Sequence, residues 1–308
     1  MRLFRRKRIG IALSGGAARA LCHIGVLEIL DELGVEISAV SGTSMGAIIG
    51  AFYALGINIK EMEEYIYSTN WKEYLLFSNI TMNRFGVINS RKADRALDAL
   101  FGDKTFDDCK RDFCCVAVDI EKREKVVFNS GKLKDAVRAS ISIPGIFSTM
   151  SIGDRILVDG GVIEPLPTEA IKTLGVNFII ASSVNLDKED KPLDVSFTGD
   201  EDNLAQEERS SSKIGGALLK SRKEKVVKKK PSLFYILDAS LHIIHREMTE
   251  KYLKSADIVI EPRVGDFGFF DFVRSKEIIE RGRKAAIEKI PEIEKKLGRK
   301  LFSQLVKV

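Results

Sequence analysis

Between residues 9 and 56 the chain twice runs from a short apolar segment through a glycine-bearing turn into an apolar helix pattern. Residues 9–13 read as a buried strand and Ser14-Gly15-Gly16 as a tight turn. Residues 17–33 read as a helix with Leu21, Ile24, Leu27 and Leu30 along one side. Glu28 and Glu32 mark its solvent side, and Gly34 is placed to stop it. Residues 37–41 then read as a second strand, followed by Gly42-Thr43-Ser44-Met45-Gly46 and a helix over 45–55 closed by Gly56. A helix between two strands is the crossover that parallel pairing requires. The predicted class is therefore α/β, with a mostly parallel central sheet and helices on both faces.

The rest of the chain extends this grammar. Strands are predicted at 113–119, 126–128, 156–158, 178–184 and 258–260. Helices are predicted within 60–101, around a long connection at 71–89, and at 133–139, 233–254 and 275–297. With 308 residues, 44% of them apolar, this is read as a single domain over 9–308 behind a basic tail at 1–8. Residues 187–231 break the pattern and are read as a polar, basic, mobile insertion. Within them, 220–230 hold seven basic residues and one acidic one. Ile214, Ala217, Leu218 and Leu219 lie beside that run, which suits a lid that docks on anionic lipid, against the plainer alternative of a solvated loop.

No apolar run approaches the roughly 18 residues that span a bilayer. The stretch after the basic tail is too short for a signal peptide, so a cytoplasmic protein is expected, with peripheral contact at an anionic membrane surface. Four cysteines in 308 residues do not make a disulfide scaffold. Cys114 and Cys115 are neighbours on a predicted strand and point to opposite faces, so no metal site is expected. A net charge of +5, from 49 basic and 44 acidic side chains, does not call for nucleic acid.

Three motifs carry chemistry. Gly42-Thr43-Ser44-Met45-Gly46, between a strand and a helix, forces Ser44 outward on a sharp turn, with Gly42 and Gly46 allowing close approach. Ser14-Gly15-Gly16-Ala17-Ala18-Arg19 leaves backbone N–H groups at a helix start, a cradle for a phosphate or an acyl oxyanion. It fails the dinucleotide pattern, since Ala17 and Ala20 occupy the second and third glycine places, and no phosphate-loop lysine follows. Asp159-Gly160-Gly161, at the end of a strand, offers a carboxylate as base for Ser44. His23, His242 and His245 are the only histidines. His23 reads as a core or rim residue. His242 and His245 follow Ser44 and Asp159 in the Ser…Asp…His order of α/β-hydrolases, which keeps a triad open.

Together these motifs resemble the patatin-like phospholipases, especially the single-domain bacterial and archaeal members and the catalytic domain of neuropathy target esterase. The resemblance runs through Ile11-Ala12-Leu13-Ser14-Gly15-Gly16-Ala17-Ala18-Arg19, His23-Ile24-Gly25-Val26-Leu27, Gly42-Thr43-Ser44-Met45-Gly46, Ser142-Ile143-Pro144-Gly145-Ile146-Phe147, Val158-Asp159-Gly160-Gly161 and Phe270-Asp271-Phe272. It implies a three-layer fold and a serine esterase acting on acyl esters of phospholipids or lysophospholipids. It also implies Ser44 as nucleophile, Asp159 as base and no catalytic histidine. The oxyanion hole would be formed around Gly15, Gly16 and Ala17, with Arg19 bracing the loop, and no metal or cofactor would be needed. Ser14 and Ala20 stand where many members carry glycine, and Ser14 is expected to narrow the loop entrance. A lipid-binding regulatory protein of the same fold is the non-enzymatic alternative; the intact Ser44 and Asp159 argue against it.

Overall fold

The computed structural model describes residues 7–69, 91–185 and 233–301. Most of the basic tail, the 71–89 connection and the 187–231 insertion with its apolar cluster lie outside the described residues. Strands β1 (Ile9–Leu13), β2 (Ile37–Thr43), β3 (Asp112–Asp119), β4 (Glu124–Phe128), β5 (Met150–Ile152), β6 (Arg155–Asp159), β7 (Phe178–Ser182) and β8 (Ile258–Ile260) form one sheet. Its order is β5-β6-β3-β2-β1-β7-β8, with β4 also paired to β3. The β3-β2-β1-β7-β8 stretch is parallel, and β4, β5 and β6 pair antiparallel.

The helices are α1 (Cys22–Glu32), α2 (Met45–Leu55), α3 (Ile59–Ser68), α4 (Arg91–Phe101), α5 (Leu133–Ser140), α6 (Leu233–Leu253), α7 (Ser275–Glu288) and α8 (Ile290–Leu297). Strand alternation explains the two-sided burial. Ile9, Ile11 and Leu13 of β1 and Phe113 and Cys115 of β3 join the large cluster beneath α1, α2 and α7. Ala12 faces the other way, onto Leu166 and Tyr252, and Cys114 and Val116 onto Ala170. Cys114 and Cys115 are buried, free and on opposite faces, as their adjacency requires. Among the described residues no helix is long and apolar enough to cross a membrane.

Several expectations need correction. The first helix opens as a 3-10 segment, Ala17–Leu21, before α1 begins at Cys22. The closing helix is two helices, because Pro291 in the first turn of α8 has no N–H to continue the ladder. The three-residue β5, outside the predicted strands, exists through its antiparallel pairing with β6. Arg8, assigned to the tail, is tied down: its N–H donates to Asn177 Oδ1 at 2.8 Å and its guanidinium pairs with Asp112.

Helices α1 and α7 meet backbone to backbone. A Cβ on Gly282 would lie 1.9 Å from the Cys22 carbonyl oxygen, and one on Gly25 would lie 2.2 Å from that of Ile279. Gly282→Ala must push the helices apart. It is expected to destabilise the protein by about 1–3 kcal/mol or more, read as a lowered urea midpoint with unchanged slope.

Candidate functional site

Ser44 sits between β2 and α2 with φ 56° and ψ −127°, in the positive-φ region that non-glycine residues seldom occupy. Packing holds it there. A Cβ on Gly42 would lie 2.3 Å from the Gly46 carbonyl oxygen, and one on Gly46 would lie 2.5 Å from that of Leu13, so the turn closes upon itself and on the end of β1. The Ser44 N–H donates to Ser140 Oγ at 3.0 Å.

Register brings Asp159 to the same place. Thr43 pairs with Val116 of β3, and Asp159 pairs with the next residue, Ala117. Strands β2 and β6 therefore occupy one edge of β3 end to end, running in opposite directions, and their C-terminal ends abut. A Cβ on Gly160 would lie 2.3 Å from the Val116 carbonyl oxygen, so β6 turns away tightly against β3. The Asp159 N–H donates to the Ser142 carbonyl at 2.9 Å, placing the Ser142-Ile143-Pro144-Gly145 loop beside the pair. Arg138 fastens that loop through Ser142 Oγ at 2.7 Å and pairs with Asp94 at 2.6 Å.

The Asp159 carboxylate is buried. Its Oδ1 accepts the Gly161 N–H at 2.7 Å, while Oδ2 has no hydrogen-bond partner among the described residues. Burial raises its pKa to about 7, with the Ser44 hydroxyl and the Gly161 N–H pulling back toward ionisation. The Ser44 hydroxyl thus lies close enough to favour the charged carboxylate.

The glycine loop lies against Ser44: a Cβ on Gly15 would lie 3.2 Å from the Ser44 Cβ. Its N–H groups divide sharply. That of Gly15 donates to the Pro165 carbonyl at 3.0 Å, that of Ala18 to Phe269, and that of Arg19 back to Gly16. Those of Gly16 and Ala17 engage no hydrogen bond within the described residues. Arg19 is 3% exposed; its Nε donates to the Phe267 carbonyl at 2.7 Å and its Nη1 to His242 Nε2 at 2.5 Å. Ser14 turns inward, its Oγ accepting the Val184 N–H at 3.1 Å, so it does not narrow the entrance. His23 is fully buried. Its Nε2 donates to the Ser14 carbonyl at 3.0 Å and its Nδ1 accepts from the Ser182 hydroxyl at 2.8 Å, so it is a satisfied core residue.

Ser44 lies between two cavities. One, of about 30 Å³, is lined by Gly16, Ala17, Asp159, Asn185, His242 and His245 among others. The second, of about 210 Å³, is almost wholly apolar and includes Met45, Ile48, Phe52, Leu97, Phe147 and Phe270 in its wall. His242 and His245 project from α6 into the wall of the small cavity, and neither hydrogen-bonds Ser44 or Asp159. Burial and the Arg19 charge push the His242 pKa down to about 3, and burial alone pushes that of His245 down to about 4. Sequence reasoning missed Ser140, Pro165, Asn185 and Phe269. Their roles come from backbone atoms or from placement by distant elements, and no local pattern marks them.

Residues 11–172 match a family model described as patatin-like phospholipase. An uncharacterised NTE family protein of Mycobacterium tuberculosis is 32% identical over 178 residues, covering 58% of this chain and 49% of that protein. Lysophospholipase NTE1 of Phaeosphaeria nodorum is 32% identical over 197 residues, covering 62% of this chain and 13% of that protein. The chain thus spans about half the length, or much less, of the curated relatives it matches. The solved structure of VipD from Legionella pneumophila aligns over 96% of this chain and 78% of its own at a TM-score of 0.37 and 14% identity, a likeness too low to bear on function. The matched span takes in more than half the chain and contains both Ser44 and Asp159: this protein belongs to the patatin-like phospholipase family.

Proposed function

We propose that this chain hydrolyses acyl esters of phospholipids or lysophospholipids through Ser44 as nucleophile and Asp159 as base. The observation that carries the reading is a buried carboxylate, with one oxygen unpartnered, beside a serine held on a strained elbow. The apolar cavity next to Ser44 suits an acyl chain. A relative named as a lysophospholipase supports the substrate class.

Asp159 takes the Ser44 proton as Oγ attacks the ester carbonyl, and returns it to the departing alcohol. Water then releases the acyl group. An aspartate at its usual acidity is a poor base for a hydroxyl. A pKa near 7 narrows that mismatch. The oxyanion falls to the uncommitted N–H groups of Gly16 and Ala17, each worth roughly 2.7–4 kcal/mol by analogy with a measured donor. Gly15, expected among these donors, is spent on Pro165. Arg19 holds the loop from behind.

The triad rival asks His242 or His245 to carry the proton. His242 Nε2 already receives Arg19, and no hydrogen bond joins either imidazole to Ser44 or Asp159 among the described residues. The decisive experiment is labelling with a fluorescent fluorophosphonate followed by peptide mapping. The label is expected on Ser44; a fully folded protein that takes no label there refutes the reading.

A pH profile follows. Asp159 must be ionised to act, so kcat/KM on a neutral ester is expected to rise about tenfold per pH unit below 7 and level off above it. His242 and His245 stay neutral across that range, so a flat profile from pH 5 to 8 would contradict Asp159 as base.

A further inference from the structure

The small cavity holds an unexplained group. The His245 imidazole is held against the turn that carries Asp159: a Cβ on Gly161 would lie 2.6 Å from His245 Nε2 and 3.0 Å from Asp159 Oδ1. The absent side chain at 161 therefore leaves the room that Nε2 occupies, with the carboxylate close by. No hydrogen bond moves the acidity of this imidazole; burial alone does. Asp159, whose Oδ2 has no hydrogen-bond partner among the described residues, and His245, for which no hydrogen bond is found there, thus line one space. That space is about 30 Å³. A water needs on the order of 10–15 Å³ and two to four polar partners, so the cavity takes one or two waters and no acyl chain.

We propose that this cavity is the seat of the water that releases the acyl group, held between Asp159 Oδ2 and His245 Nε2. The proposal rests on Ser44 being acylated, as above. The water donates one hydrogen to Nε2 and is thereby aimed at the acyl carbonyl carbon. Its other proton passes to Asp159 Oδ2 as its oxygen bonds to that carbon. The tetrahedral adduct collapses, the bond from carbon to Ser44 Oγ breaks, and the Asp159 proton returns to Oγ. Free fatty acid and free serine result, and the acid then ionises into solvent. His245 never gains a proton, which separates this role from that of a triad histidine. Acylation of Ser44 uses no water, so His245 matters to the second half of the reaction far more than to the first.

The test is made on the full chain with p-nitrophenyl butyrate. His245→Phe fills the same space without an acceptor, and His245→Gln restores one. With Phe, acylation followed as the first turnover of p-nitrophenolate is expected to stay near the wild-type rate, while steady-state turnover falls about 10–100-fold. Butyryl-Ser44 then accumulates and is seen by intact mass. Hydroxylamine, a stronger nucleophile than water, is expected to raise turnover of the Phe variant proportionally more than that of wild type. Gln is expected to recover part of the loss. Steady-state turnover by His245→Phe equal to wild type overturns the proposal, and so does an equal fall in acylation and turnover. If His245→Phe does not fold, His245→Leu, which also lacks an acceptor, is read by the same acylation-to-turnover ratio, and an unchanged ratio overturns the proposal. Failure of the Ser44 reading is told apart by wild-type protein that hydrolyses the ester yet takes no fluorophosphonate on Ser44.

Discussion

Ser44→Ala is expected to abolish ester hydrolysis, with turnover falling by about six orders of magnitude, as seen when the nucleophile is removed from a serine hydrolase. Fluorophosphonate labelling should vanish with it. The change is nearly silent for the fold. Alanine suffers the same positive φ as serine, and the hydrogen bond from residue 44 to Ser140 uses the backbone N–H, which remains. The urea midpoint should therefore match wild type. This combination of lost chemistry and kept stability separates a nucleophile from a packing residue. Turnover within tenfold of wild type in a folded Ser44→Ala protein would remove Ser44 from the mechanism.

Asp159→Asn is expected to cut turnover by two to four orders of magnitude, the usual worth of general-base help, while His242→Ala retains most of the acylation rate. Its effect on stability should run the other way. The native pKa of Asp159, about 7, lies above the ordinary 3.8. Between those values the native protein holds a proton that the unfolded chain has lost, so raising the pH through this window costs stability. The full ionisation cost approaches about 4 kcal/mol above pH 7. A neutral amide escapes it, less about 1–3 kcal/mol for a buried N–H without an acceptor. Asp159→Asn is thus expected to be more stable than wild type at pH 8, with an advantage that shrinks steadily toward pH 4. An advantage that does not change with pH would mean that Asp159 is not buried as a charge.

What could be read from the chain is what depends on near neighbours. Gly34 and Gly56 end helices at φ 66° and 79°, and the elbow at Ser44 is written in five consecutive residues. Buried strands such as 178–182 stand out because both faces are covered and the run is unbroken. What escaped depends on distant partners. Nothing near Gly15 says that its N–H will be spent on Pro165, and nothing in α6 says that His245 will stand beside Asp159. β5 is three partly exposed residues whose only reason to be a strand is β6. The break at Pro291 is masked by the amphipathic pattern that continues on both sides of it.

The end-to-end meeting of β2 and β6 on one edge of β3 bears on how the protein is made. The elbow at Ser44 is synthesised before Asp159 and can form from β1, β2 and α2. The carboxylate arrives only after β3, β4, α5 and β5, and it takes its place only when β6 closes the vacant half of the β3 edge. Such non-local pairing is a late and slow step. Under the proposed mechanism, a half-folded chain carries Ser44 without its base and is inert toward esters. Recovery of esterase activity on refolding should lag behind the recovery of helix content, because activity reports closure of that one strand pair.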